Sequence, residues 1–219
     1  MKSLLSLALL LLFTGSCSAQ KPHRCRTPPL LSGSLSVSAR EGQDWAIAKY
    51  RYDAIGQRIR VWEFGHVDDR SFHLNMLFLF REGVVYSISY RNRTCQKNPL
   101  HTAFHPSHIP HNASLQSQVV LGGSSGPGEG LLVNTWTGDV PETGGKYVAT
   151  VTEFGCIPVS TLYYTEERGW MVTTYFNGVR GVEDPGEFIP PPFCDDVQTE
   201  EEVLDFYSAL SEESMFNML

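Results

Sequence analysis

"FHLNMLFLFREGVVYSISY", residues 72–90, decides how this chain folds. Phe72, Leu74, Met76, Phe78 and Phe80 recur at period two and so share one side of an extended strand, while Leu77 and Leu79 make the other side apolar as well. A strand that is apolar on both sides has to be covered on both sides. Arg81-Glu82-Gly83 interrupts the run, and Val84, Tyr86, Ile88 and Tyr90 resume the alternation, which predicts a hairpin.

The same signature extends in both directions. Upstream, "DWAIAKYRY" and "RIRVWEF" flank Asp53-Ala54-Ile55-Gly56, a second hairpin whose connection ends in a residue that tolerates a positive φ. Downstream come "SLQSQVVL", "GLLVNTWTG", "KYVATVTEF", "VSTLYYTE" and "GWMVTTYF", to give about nine consecutive antiparallel strands with no helical crossover between them. Residues 97–113 carry Pro99, Pro106 and Pro110 and are an irregular loop. Many strand residues are large and aromatic, Trp62, Phe64, Tyr147, Phe154, Tyr163 and Trp170 among them, and on a curved sheet such side chains leave a cavity suited to apolar ligands.

The ends have a different character. Lys2, the apolar run Leu4 to Phe13 and Cys17-Ser18-Ala19 make residues 1–19 a secretory signal peptide. Residues 20–196 form the β domain, and 197–219 an acidic helix and tail that opens with a Thr199-x-x-Glu202 capping box. The chain has 17 basic and 24 acidic residues. Eight of the acids lie in residues 194–219, which contain no base, so the negative charge is concentrated in the tail. No basic face exists for a phosphate backbone, which excludes nucleic-acid partners.

Behind the leader, Cys25, Cys95, Cys156 and Cys194 read as two disulfides in an oxidising compartment, with three pairings open. Asn92-Arg93-Thr94 and Asn112-Ala113-Ser114 are N-glycosylation sequons. Gly122-x-Ser124-x-Gly126 has the letters of a hydrolase nucleophile elbow, but the Gly- and Pro-rich residues after Ser124 cannot supply the helix that the elbow requires. His101, His105, His108 and His111 share a loop whose prolines forbid a regular helix, so they read as solvated side chains that gain charge in acid rather than as a metal site. No calcium loop of the EF-hand type is present, and the residues show no catalytic pairing.

Five ordered blocks carry a family likeness: "YDAIGQRIRVWEF" (52–64), "CQKNPLHTAFHPSHIP" (95–110), "LLVNTWTG" (131–138), "EFGCIPV" (153–159) and "FIPPPFC" (188–194). Together they resemble the ependymins and their mammalian relatives. The resemblance implies a mainly β fold, two antiparallel sheets curved into a half-open barrel around a deep hydrophobic pocket, with a short C-terminal helix, similar to bacterial lipoprotein carriers. It also implies a secreted, disulfide-linked glycoprotein, Cys25 with Cys156 and Cys95 with Cys194, often a homodimer, with the lysosomal lumen as a second destination. Its implied ligands are fatty acids, anionic lipids or gangliosides, with calcium as the one candidate ion and no cofactor required.

The expected function is non-enzymatic carriage of a hydrophobic molecule. The expected pocket walls are Phe72, Leu74, Met76, Phe78, Val84, Tyr86, Ile88, Leu132, Trp136, Val148, Phe154, Leu162, Tyr164, Met171 and Tyr175. The rival is a calcium-dependent adhesion protein in contact with a membrane surface or the extracellular matrix, whose apolar strands serve protein contacts.

Overall fold

In the computed structural model, residues 21–67, 70–140, 144–166, 169–195 and 197–198 are described. The signal peptide and the capping-box helix lie outside them. Eleven strands run in chain order: β1 (Leu30–Ala39), β2 (Asp44–Asp53), β3 (Arg58–Val67), β4 (Arg70–Leu79), β5 (Val84–Ser89), β6 (Thr94–Pro99), β7 (Ser114–Gly122), β8 (Gly130–Val140), β9 (Gly145–Thr152), β10 (Pro158–Thr165) and β11 (Gly169–Arg180).

They form one open antiparallel sheet in the order β6-β5-β4-β3-β2-β1-β11-β10-β9-β8-β7, where two sheets were expected. The reason is β1. It pairs with β2 on one side and β11 on the other, which joins β2–β6 to β7–β11 without a break. Its sequence, "LLSGSLSVSA", alternates small hydroxyls with aliphatics. Leu31 and Leu35 are buried on the inner face, while Ser34 and Ser36 lie on the outer. Inner residue Gly33 opposes Tyr50, and a Cβ at Gly33 would come within 2.8 Å of the tyrosine hydroxyl, so only glycine lets that ring lie flat across the middle of the sheet.

Register carries the inner face across the sheet. Leu35 opposes Ala48 and Tyr175, Tyr50 opposes Val61, and Val61 opposes Met76. These residues, with Tyr52, Ile59 and Phe78, make one core. Trp136, Tyr147, Val151, Tyr163 and Met171 make a second on the same face at the other side of β1.

The outer face of β4 and β5 has its own cover. Leu77, Leu79, Tyr86 and Ile88 are buried beneath residues 182–194, which lay Phe188 and Cys194 onto them. Cys95–Cys194 ties that strap to β6, Arg51 Nε holds Glu187 at 2.8 Å, and the Arg58 guanidinium lies 4.5 Å from the Phe188 ring. The two-sided greasiness of residues 72–80 thus has two separate causes, a core within and a strap outside. Ser124 sits in the loop of the β7–β8 hairpin, where Gly123 N donates to Glu129 O and no helix follows.

Candidate functional site

Residues 100–113 join the two edges of the sheet and lie along its inner face. The prolines keep this segment from regular structure, so its polar backbone finds partners one at a time. Phe104 stacks on Tyr52 at 5.9 Å and meets Phe80 edge-on at 5.2 Å. Ser107 N donates to the Tyr52 hydroxyl, Thr27 N to Ser107 O, and Ile109 N to Cys25 O. Cys25 is bonded to Cys156 beyond β9, so the loop is fastened through its neighbour to the sheet it covers.

A cleft of about 640 Å³ remains between this loop and β8–β10. Its apolar walls are Ile109, Pro110, Val140, Tyr147, Ala149, Val151, Pro158 and Tyr163, and its polar ones include His105, His108, Asn112, Asp139, Thr150 and Thr161. That volume is in the range of small-molecule sites, and a mostly apolar lining with a few polar groups is their usual character. Tyr147 is only 6% exposed, yet its hydroxyl has no hydrogen-bond partner among the described residues. Burial holds this phenol above its ordinary range, with Arg24 pulling it down and Asp139 pushing it up, so it is a protonated donor at neutral pH. Its ring lies across Gly138, where a Cβ would be 2.6 Å from the hydroxyl.

Glu63 is the other titratable group set into the inner face. It opposes Ala48 and Leu74, is 6% exposed and makes no ion pair among the described residues. Desolvation alone pushes its carboxyl up from 4.5 to about 7. The loop histidines do not gather a metal site: His108 Nδ1 lies 2.7 Å from Pro106 O, and no group of three His, Cys, Asp or Glu side chains suited to a metal occurs among the described residues. Both sequons present an exposed asparagine, and Asn112 stands at the cleft.

The residues expected as pocket walls divide between faces. Phe72, Leu74, Met76 and Phe78 share the inner face of β4, Leu132 and Trp136 one side of β8, and Met171 and Tyr175 the inner face of β11. Val84, Tyr86 and Ile88 point the other way, because Val85 and not Val84 opposes Phe78, and they belong to the core beneath the strap. Val148, Leu162 and Tyr164 are likewise one residue out of step with Tyr147, Thr161 and Tyr163. Phe154 lies in the β9–β10 turn, 80% exposed. None of the expected walls lines the cleft, whose sheet side is instead drawn mainly from the alternate residues of β9 and β10. The signal was present in the period-two set Tyr147, Ala149 and Val151, but choosing it over Val148 needs the register with β8.

Both expected disulfides are formed, Cys25–Cys156 and Cys95–Cys194. No helix among the described residues is long and apolar enough to cross a membrane. Of the solved structures with a related fold, an uncharacterized conserved protein from Thermus thermophilus superposes with a TM-score of 0.52 at 11% identity, over 81% of this chain and 91% of that one. A LolA superfamily protein from Nitrosomonas europaea is more distant, with a TM-score of 0.33 at 10% identity over 76% of this chain and 92% of that one.

Sequence relatives are nearer. Ependymin-1 of Oncorhynchus mykiss is 36% identical over 90% of this chain and 89% of its own length, and ependymin of Notemigonus crysoleucas 34% identical over 82% and 84%. Mammalian ependymin-related protein 1 of Mus musculus is 28% identical over 82% of this chain and 80% of its own. A sequence profile of the ependymin family matches residues 68–194, which contain the Pro-His loop, β8–β10 and the strap, and the chain therefore belongs to the ependymin family.

Proposed function

We propose that this protein is a secreted, N-glycosylated carrier that holds a hydrophobic or amphiphilic molecule between the 100–113 loop and strands β8–β10. The observation that carries the reading is the cleft itself, about 640 Å³ walled by Ile109, Val140, Tyr147, Ala149, Val151 and Tyr163. Each methylene that enters such a wall gains roughly 0.8 kcal/mol, so a dozen offset the ordering of guest and loop with several kcal/mol to spare. The polar residues on the same walls suit a guest with one polar end.

Self-association into a homodimer belongs to the same proposal. The outer face leaves Trp45, Phe64, Val172 and Phe176 exposed across β2, β3 and β11, with only β1 serines between them. Large exposed apolar side chains flanking a row of small serines form a surface on which a second copy of the chain can pack.

Mass spectrometry of lipid extracted from the native purified protein tests the carrier reading. Stoichiometric lipid is the expected result, and a clean extract from protein that binds matrix components would instead support the adhesion reading. Val140→Arg and Ala149→Arg place a charge and a long side chain in the cleft, and each is expected to lower uptake of a fluorescent fatty acid at least tenfold. Wild-type uptake in both would remove the cleft as the binding site.

A further inference from the structure

We propose that one end of the sheet docks on a phospholipid bilayer, with Phe154 and Ile55 entering the lipid, and that the carrier loads or releases its guest through that end. The docking rests on the carrier reading and adds the partner with which the guest is exchanged.

Strand register brings residues 54–57, 80–83, 123–129 and 153–157 to this end, together with the start of β1 and the close of β11. The four most exposed large hydrophobic side chains among the described residues are all here: Phe154 at 80%, Ile189 at 66%, Ile55 at 63% and Val179 at 62%. Phe154 and Ile55 stand in turns, Val179 is next to last in β11, and Ile189 follows Phe188, whose ring lies against Arg58 at the first residue of β3. The turns form one rim: Ala54 N donates to Pro29 O at 2.8 Å, Gly181 N donates to Leu30 O at 2.9 Å, and the Arg180 guanidinium lies against Gly155. Single exposed apolar residues are ordinary, but four gathered at one end of a sheet mark a contact surface.

The opposite end is built for water. Its connections carry the exposed Arg40, Glu41, Arg91, Arg93 and Glu166, and the Tyr90 ring there meets Phe193 edge-on at 5.7 Å. Both sequons stand at that end as well: Asn92 in the β5–β6 turn, and Asn112 just before Ser114, which opposes Thr137 near the close of β8. N-linked sugars are bulky and hydrated, so the end that bears them faces away from a bilayer and the sugar-free end faces toward it. The cleft runs along the same axis. Asn112, Asp139 and Val140 line it near the glycan end, while Cys156 and Pro158 line it at the rim, in and just after the turn that holds Phe154. The exposed charges of the rim are mixed, Arg81 beside Glu82 and Arg180 near Glu183, so insertion of apolar side chains rather than lipid charge supplies the attraction.

The experiment uses the full-length glycoprotein at pH 7.5 and vesicles of phosphatidylcholine. Wild type is expected to float with the vesicles, and the double change Ile55→Glu with Phe154→Glu to lower that partitioning about tenfold or more, since each puts a charge where a side chain enters the lipid. Both positions are exposed, so the thermal midpoint and the uptake of a fluorescent fatty acid from solution should stay those of wild type. Orientation is read with lipid brominated along its acyl chains: the emission added by Phe154→Trp should be quenched, and that added by Arg91→Trp at the glycan end should not. No flotation of wild type, unchanged flotation of the double variant, or equal quenching at the two positions overturns the docking. So does a wild-type dimer that the double variant breaks in the absence of vesicles, because the rim would then belong to a second copy. Wild type that takes up fatty acid without floating overturns the docking and leaves the carrier reading standing, whereas wild type that floats but takes up none overturns the carrier reading and leaves the rim as a membrane contact.

Discussion

Replacing Cys95 and Cys194 together by serine is expected to lower the free energy of unfolding by about 5 kcal/mol, the chain-entropy worth of a loop of this length. The bond closes a separation of 99 residues and is the covalent anchor of the strap over the outer face of β4 and β5. Without it, Phe188 and the Arg51–Glu187 pair remain to hold residues 182–194 against Leu77, Leu79, Tyr86 and Ile88. An ion pair that water reaches is worth little, so the strap should open and uncover that core.

Urea unfolding of the double variant should show the lower stability. Limited proteolysis should cut first within residues 182–194, while far-UV circular dichroism remains that of a β protein because the inner cores do not depend on the strap. A loss below about 1 kcal/mol would mean that Phe188 alone seats the strap, since burying a large aromatic contributes that much and more. Removing Cys25 and Cys156 instead should act on the cleft side, where that bond fastens the segment that pairs with the Pro-His loop.

Glu63→Gln is expected to remove a pH dependence of stability that the wild type carries. In the folded chain the carboxyl is pushed up from 4.5 to about 7 by burial, so the folded state holds the proton more tightly than the unfolded state. Its contribution to stability is complete below about pH 4.5, declines as pH rises toward 7 and is lost above that. At pH 8 the glutamine variant should be more stable than wild type by about 3 kcal/mol, and near pH 4 the two should be close to equal. Urea midpoints of both proteins from pH 4 to 8 measure the difference directly, with every other titrating group common to the pair. A difference that does not change with pH would show that water reaches Glu63 in solution. As it stands, this carboxylate makes the inner face more stable in acid than at neutral pH.

Strand existence was largely legible. Alternation alone located nine strands and both hairpins around Asp53-Ala54-Ile55-Gly56 and Arg81-Glu82-Gly83, as found in the sheet. It missed β1 and β6 for a shared reason. "LLSGSLSVSA" and "TCQKNP" are rich in small or polar residues, and their strand character comes from the neighbours they pair with. Missing β1 had a large consequence, since it is the strand that turns two expected sheets into one.

The cleft was less legible than the fold. Alternation marks Val84, Tyr86 and Ile88 as the apolar side of residues 84–90 and Tyr147, Ala149 and Val151 as that of 146–151, while 158–164 is mixed on both sides, but it does not say which face of the sheet an apolar side meets, and a one-residue step exchanges the lining for the outer face. Val84 against Val85 and Val148 against Tyr147 could be resolved only by hydrogen-bonded pairing with Phe78 and Gly138. By itself the sequence determined the β class, the hairpins, the two-sided burial of residues 72–80 and, through its ordered blocks, the family and the cysteine partners that the family implies. Tertiary structure alone decided that β1 closes the halves into one sheet, that the strap covers the outer face, and that the Pro-His loop leaves its cleft against β8–β10. Those features depend on contacts between residues far apart in the chain, and local periodicity is blind to them.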